Sequence, residues 1–249
     1  MIKLKNKDEI DILRRAGHVV ARTLDMVGKM DLEGMTTGEL DRIIEEYIRS
    51  QDNAVPGFKG YQGFPASACI SINEEVVHGI PGKRIIKAGE IVSVDVGSIV
   101  DGYYGDSART YSVGEISEDK AKLMEWTKKS LMSGIDKGRK DNKLGAISSA
   151  VQQVAESQGY GVVRTLVGHG VGQQLHEEPQ VPNFGSPDDG PILKVGMVLA
   201  IEPMVNMGTE NTRTMPDGWT EVTADGQPSA HFEHTIVITD SEPEILTAV

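Results

Sequence analysis

The run Ile91-Val92-Ser93-Val94-Asp95-Val96 places a carboxylate inside an apolar stretch. An unpaired charge there is costly, so Asp95 needs a partner that offsets its burial. Strand alternation puts Val92, Val94 and Val96 on one face and Ser93, Asp95 and Gly97 on the other. Asp101-Gly102 is a strong two-residue hairpin turn. With those residues at its centre, Val100 faces Tyr103, Gly97 faces Asp106 and Asp95 faces Ala108. Asp95 and Asp106 then become diagonal neighbours on one face, roughly 7–8 Å apart at the backbone. Carboxylates reaching inward from that spacing can hold metal ions between them. Asp106 alone would read as a solvated side chain on an exposed face; Asp95, inside its apolar strand, would not.

Further candidates lie downstream. Gly168-His169-Gly170-Val171-Gly172 follows an apolar strand end, and glycines on both sides let the backbone turn tightly and expose the imidazole. His176 sits in Leu175-His176-Glu177-Glu178-Pro179, Glu202 ends the apolar run Val198 to Ile201 just before Pro203, and Glu233 lies in Phe232-Glu233-His234-Thr235-Ile236-Val237. Singly, each has an ordinary reading, as a turn-capping histidine or an exposed strand-end acid. Together, four carboxylates and one imidazole with no thiolate suit a pair of Mn, Fe(II), Co or Zn ions. Two divalent cations balance four carboxylates, which allows burial and eases ionisation of water at neutral pH.

Competing chemistries fail on spacing. His176-Glu177-Glu178 lacks the second histidine of a His-Glu-x-x-His site, and His231-Phe232-Glu233-His234 has the wrong spacing for its inverse. There is no Gly-x-Ser-x-Gly elbow, P-loop or dinucleotide-binding glycine fingerprint. Cys69 could pair with His78 as a nucleophile, but its apolar strand favours a structural role.

These residues must be positioned by a chain of 249 residues, enough for one large α/β domain or two small ones. A net charge of −12 argues against a general nucleic-acid binder, which needs a basic surface. The single cysteine excludes an intramolecular disulfide and points to a reducing compartment. The segment Met1 to Gly17 is broken by charge throughout, unlike a signal peptide, and no run approaches the roughly 18 apolar residues of a membrane span. A soluble, cytoplasmic protein is expected.

Asn6 with Glu9, and Thr36 with Glu39, are capping pairs that open two helices. The first carries the stripe Ile10, Leu13, Val20, Leu24 and Val27, the second Leu40, Ile43, Ile44, Tyr47 and Ile48. Two more helices fit Ser117 to Ile135 and Leu144 to Ser157. Extended segments are expected at Ala68 to Ile72, Ile91 to Val96, Tyr103 to Val113, Thr165 to Gly168, Met197 to Met204 and Phe232 to Thr239. The order is two helices, a strand block, two helices, a strand block. This predicts a duplicated half and a mixed or antiparallel sheet flanked by helices, not βαβ units.

At these residues the chain resembles the bacterial type I methionine aminopeptidases over nearly its whole length. The resemblance is carried by Cys69-Ile70-Ser71-Ile72-Asn73-Glu74 running to His78-Gly79-Ile80-Pro81-Gly82, by Val94-Asp95-Val96 and by Gly105-Asp106-Ser107. It continues in the His169 and His176 segments, Ile201-Glu202-Pro203 and Phe232-Glu233-His234-Thr235. The ordered set of five donors is shared with the wider prolidase-like group. The His78 segment, the compact length and Asp217-Gly218-Trp219-Thr220 favour the methionine aminopeptidases within it.

The resemblance implies one catalytic domain over residues 1–249 with the α+β pita-bread fold. That fold has two αβ halves with pseudo-two-fold symmetry around a central curved antiparallel sheet. It further implies two divalent ions (Co, Mn, Fe or Zn), one held by Asp95, Asp106 and Glu233, the other by Asp106, His169, Glu202 and Glu233. Glu202 would act as general base, His176 would stabilise the oxyanion, and His78 would contact the scissile amide nitrogen or the leaving chain. The substrate would be the initiator methionine of nascent chains, with a small second residue, and its α-amine would bind on the Asp95 side. Phe58, Tyr61, Phe64, Cys69, Leu175 and Trp219 would wall the methionine pocket, where aromatic and sulfur groups suit a thioether. Gln62 stands where many members have histidine and Leu175 where several have an aromatic; both bear on pocket shape and turnover. A monomer with transient ribosome contact, no membrane and no direct nucleic-acid specificity is expected. The alternatives are an X-Pro aminopeptidase or prolidase of this fold, which usually carries an added N-terminal domain, or a non-catalytic binding module, which loses metal ligands.

Overall fold

The computed structural model describes residues 1–249. Helix α1 spans Lys7–Val27 and α2 spans Thr37–Arg49, and both open with the expected capping boxes at Asn6/Glu9 and Thr36/Glu39. Val20, Leu24 and Val27 of α1 and Leu40, Ile44 and Ile48 of α2 pack on Ile70, Ile72, Val92, Val94 and Val96. Each such side chain contributes about 1.5–3 kcal/mol by leaving water. Helices α3 (Glu118–Asp136) and α4 (Leu144–Glu156) build a second core with Leu199, Ile201, Ile236 and Ile238. No side chain caps α4; instead its first amides donate to Pro191 and Asp189 carbonyls, both at 2.9 Å, so a loop supplies the cap. No helix is long and apolar enough to cross a membrane.

All strand pairings are antiparallel. In the first half, the hairpin Ile91–Val100 and Tyr103–Ser112 joins Ala68–Ile72 and Val55–Pro56. In the second, five strands run in the order Glu244–Ile245, His234–Val237, Val198–Ile201, Gly168–Gly170, Glu177–Val181. Two three-stranded sheets complete the fold. The duplicated order of helices and strands is therefore real, with one helix pair and one main sheet per half.

Three segments differ from expectation. Met197 to Met204 is not a single strand, and the strand expected over Phe232 to Thr239 is confined to His234–Val237. The first is Val198–Ile201 followed by Met204–Asn206; the second is preceded by a separate strand, Ser229–His231. Each chain leaves one sheet and enters another, at Glu202-Pro203 and at Phe232-Glu233. Pro203 has no N–H to give to a ladder, which suits a break there. Thr165 bends away, its hydroxyl 3.1 Å from that of Thr212, and the strand begins only at Gly168.

Hydroxyl groups sew the halves together. Ser107 Oγ donates to the Glu233 carbonyl at 2.5 Å and Thr235 Oγ1 to the Asp106 carbonyl at 2.7 Å. Thr110 Oγ1 donates to the His231 carbonyl at 2.8 Å and accepts from its N–H at 3.0 Å. Thr110→Val keeps the shape but strands these buried groups, so a loss of about 1–3 kcal/mol is expected in urea unfolding, with the m-value unchanged. The C-terminal segment returns to α1: Arg14 pairs with Glu244 at 2.6 Å, and a Cβ on Gly17 would lie 2.3 Å from the Leu246 carbonyl oxygen.

Candidate active site

The hairpin sets the first two carboxylates. Asp101 and Gly102 both adopt positive φ, 47° and 82°, the geometry of a tight two-residue turn. The register follows: Val100 opposite Tyr103, Gly97 opposite Asp106, Asp95 opposite Ala108. Asp106 is 4% exposed and its Oδ1 has no hydrogen-bond partner; the same is true of the buried Asp95 Oδ1.

His169 occupies the middle of the strand Gly168–Gly170. The flanking glycines do not make a tight turn, as expected from the sequence; they admit close neighbours. A Cβ on Gly168 would lie 2.3 Å from the Ala200 carbonyl oxygen, and one on Gly170 2.4 Å from that of Glu178. His169 Nδ1 is 3.0 Å from the Gly170 carbonyl, which can only accept, so Nδ1 carries the proton. The Nε2 lone pair then faces Asp106 Oδ2 at 3.6 Å and Glu202 Oε1 at 3.4 Å. Burial, with the neighbouring His176 second, pushes the imidazole down to about 3, so it is neutral.

Glu202 and Glu233 come from the two sheet-crossing breaks. Glu233 is 2% exposed and its Oε1 is another buried atom without a partner. One donor atom each of Asp106, His169 and Glu233 lie within 4.8 Å of one another. Burial raises the Asp106 carboxyl to about 7. It also raises Asp95, Glu202 and Glu233 well above their usual range, helped by the carboxylates they crowd. A cluster that cannot ionise fully by itself, with three orphaned carboxylate oxygens and a lone pair aimed inward, fits divalent cations and has the hard-to-borderline donors they prefer.

A cavity of about 180 Å³ opens onto this cluster. Its lining contains all thirteen residues singled out from the sequence: the five donors, His78, His176, Phe58, Tyr61, Phe64, Cys69, Leu175 and Trp219. His176 Nδ1 is 2.8 Å from the Tyr61 hydroxyl, and its ring stacks edgewise on His169 with centroids 4.2 Å apart. His78 sits at φ 60°, a conformation held at a cost that a non-glycine residue bears at functional sites. Phe64 meets Trp219 edge to face at 5.2 Å. Trp219 is fixed by Asp217, whose Oδ1 accepts from the Trp219 and Thr220 amides at 2.8 and 2.9 Å.

Gln62, whose bearing on pocket shape the resemblance raised, lines the cavity at φ 47°. Two participants were not read from the sequence as site residues. His231 is 1% exposed, and its unpartnered Nε2 lies 3.9 Å from Glu202 Oε2. Its signal was its position two residues before Glu233, which in an extended chain points the same way. Asn183 donates to the Glu202 carbonyl at 3.0 Å, and nothing local marks it.

A pair of αβ halves closing on buried carboxylates and a neutral imidazole defines a metal-dependent hydrolase class. Residues 11–240 match the model of metallopeptidase family M24, and the chain belongs to that family. It is 54% identical to a methionine aminopeptidase of Clostridium acetobutylicum over 99% of each chain, and 52% identical to methionine aminopeptidase 1 of Bacillus subtilis over 100% of each. The crystal structure of a methionine aminopeptidase from Thermotoga maritima superposes with a TM-score of 0.98 at 45% identity, covering both chains fully. A dipeptidase from Pyrococcus horikoshii, 27% identical, matches 99% of this chain and 62% of its own with a TM-score of 0.77. The two-half antiparallel arrangement is the pita-bread fold.

Proposed function

We propose that this protein is a metal-dependent aminopeptidase that hydrolyses the N-terminal methionine from polypeptides, with preference for a small second residue. The observation that carries the reading is the small pocket of Phe58, Phe64, Cys69, Leu175, Tyr61 and Trp219 opening directly onto the carboxylate–imidazole cluster. Pockets for drug-sized ligands run to about 300–1,000 Å³, so one of this size suits a single side chain. Aromatic faces and a thiol suit a thioether.

Asp95, Asp106 and Glu233 would hold one divalent ion, and Asp106, His169, Glu202 and Glu233 a second, among Co, Mn, Fe and Zn. The chemistry gained there is Lewis acidity, which polarises a carbonyl and eases deprotonation of water. Glu202, at the sheet break beside His169, accepts the proton of the attacking water as general base. His176, neutral because burial lowers its affinity for a proton and braced by Tyr61, donates toward the developing oxyanion. His78, likewise held neutral chiefly by burial, contacts the scissile amide nitrogen or the leaving chain. The single domain acts as a cytoplasmic monomer on nascent chains, with transient contact at the ribosome.

Methionine release from Met-Ala-Ser, compared with cleavage of X-Pro peptides across the four metals, tests the reading. Preference for Met-Ala-Ser is expected; preference for X-Pro would replace it with a prolidase-type activity. The pocket makes its own prediction. A Cβ on Gly97 would lie 2.5 Å from Phe58 Cε1, so Gly97→Ala drives that ring into the pocket. KM should rise roughly tenfold with kcat little changed.

A further inference from the structure

The segment before α1 reaches the residue that follows His176. Lys5 Nζ lies 2.6 Å from Glu177 Oε2, and each side chain is only 5% exposed. Breaking a pair this buried leaves an uncompensated charge and disturbs whatever the pair holds, unlike the exposed pairs on the surface. Glu177 directly follows His176, and its Oε1 accepts from the Gln174 amide at 3.4 Å. A Cβ on Gly172 would lie 2.4 Å from Glu177 Oε1 and 2.8 Å from Lys5 Cε, so the turn from Gly172 to His176 lies directly against the pair. Lys5 is itself anchored, its N–H donating to the Gly196 carbonyl at 2.7 Å and its ammonium to the Lys3 carbonyl at 3.2 Å.

We infer that Lys5 is a positioning residue: its buried pair with Glu177 sets the turn that presents His176 to the reacting carbonyl. The first residues of the chain thereby become active-site scaffold. The inference rests on the role proposed above for His176.

The test uses the full-length, metal-loaded protein and Met-Ala-Ser. Lys5→Met keeps the aliphatic stem and removes the charge, while Glu177→Gln attacks the pair from its other side and keeps an acceptor. Each should lower kcat about tenfold with KM almost unchanged, because misplacing a group that acts in the transition state costs turnover. Lys5→Arg should restore most of kcat, and Lys5→Met in a His176→Ala background should cost little more. Histidine-ring NMR of the metal-free protein adds a readout independent of turnover: the His176 resonances should move in both variants while those of His18 stay. Wild-type kcat in both variants overturns the inference, as do unshifted His176 resonances in a folded variant or a full additional loss in the His176→Ala background. Absence of methionine release by the wild type would instead overturn the functional reading, and the ring resonances would still decide the role of Lys5.

Discussion

Glu202→Gln should leave a folded protein that releases methionine from Met-Ala-Ser roughly a thousandfold more slowly, the scale of losing a positioned general base. The substitution keeps the size of the side chain and removes its charge and its capacity to take a proton. Folding should survive, because the link from Glu202 to Asn183 runs through the Glu202 backbone carbonyl. The Glu202 carboxylate is also one of four crowded together, and its neighbours Asp106 and Asp95 raise its proton affinity further above what burial does. Neutralising it therefore relieves repulsion in the metal-free protein, whose urea midpoint should hold or rise. Asp95→Asn should likewise abolish turnover. Retained hydrolysis by either variant, assayed with metal replete, would contradict the proposed cage.

In metal-free protein the Asp106 carboxyl should cost stability progressively as pH rises from about 4 to about 7, a loss that Asp106→Asn removes and divalent metal abolishes. Burial lifts Asp106 from 3.8 to about 7 in the folded state. Across that interval the folded protein keeps a proton that the unfolded chain has released, so the unfolded state binds fewer protons and stability falls with rising pH. Asp95, Glu202 and Glu233 are raised in the same sense, chiefly by burial. Through the unfolded-state titration near 6.5, and below it, the buried histidines oppose this. His169 and His231 are lowered from 6.5 to about 3, so there the unfolded state binds more protons and stability grows with pH. The difference between wild type and Asp106→Asn isolates the carboxylate, because the histidines are common to both. Thermal midpoints of the two chelated proteins at about pH 4 and about pH 7 measure the effect, and the wild type should lose ground to the variant across that interval. A wild-type midpoint that gains on the variant's as pH rises would rule out the crowded-carboxylate account. Metal should also release protons on binding, visible as a buffer-dependent enthalpy.

What could be read from the sequence was local. Period-two alternation and the Asp101-Gly102 turn are properties of neighbouring residues, and together they fixed which face Asp95 and Asp106 share. Capping pairs placed α1 and α2 for the same reason. The meeting of Glu233 with that hairpin is secured by hydroxyl bonds from Ser107, Thr110 and Thr235 that cross more than a hundred residues of chain, and His169 and Glu202 follow through the strands paired beyond it. No periodicity encodes such contacts; family resemblance supplied them. The strand break at Glu202-Pro203 was hidden because an apolar run looks continuous whether it stays in one sheet or crosses to another. Only Pro203 gave a sign.

The return of the C-terminal segment to α1 also sets a schedule. In order of synthesis the proposed donors emerge as Asp95, Asp106, His169, Glu202 and Glu233. The Leu246 carbonyl then seats against Gly17, and the Leu246 amide donates to Thr235 at 2.9 Å, two residues beyond the last donor. The strand that begins beside the last proposed donor is thus pinned by the segment that follows it, so the cage and the seam onto the first helix close together.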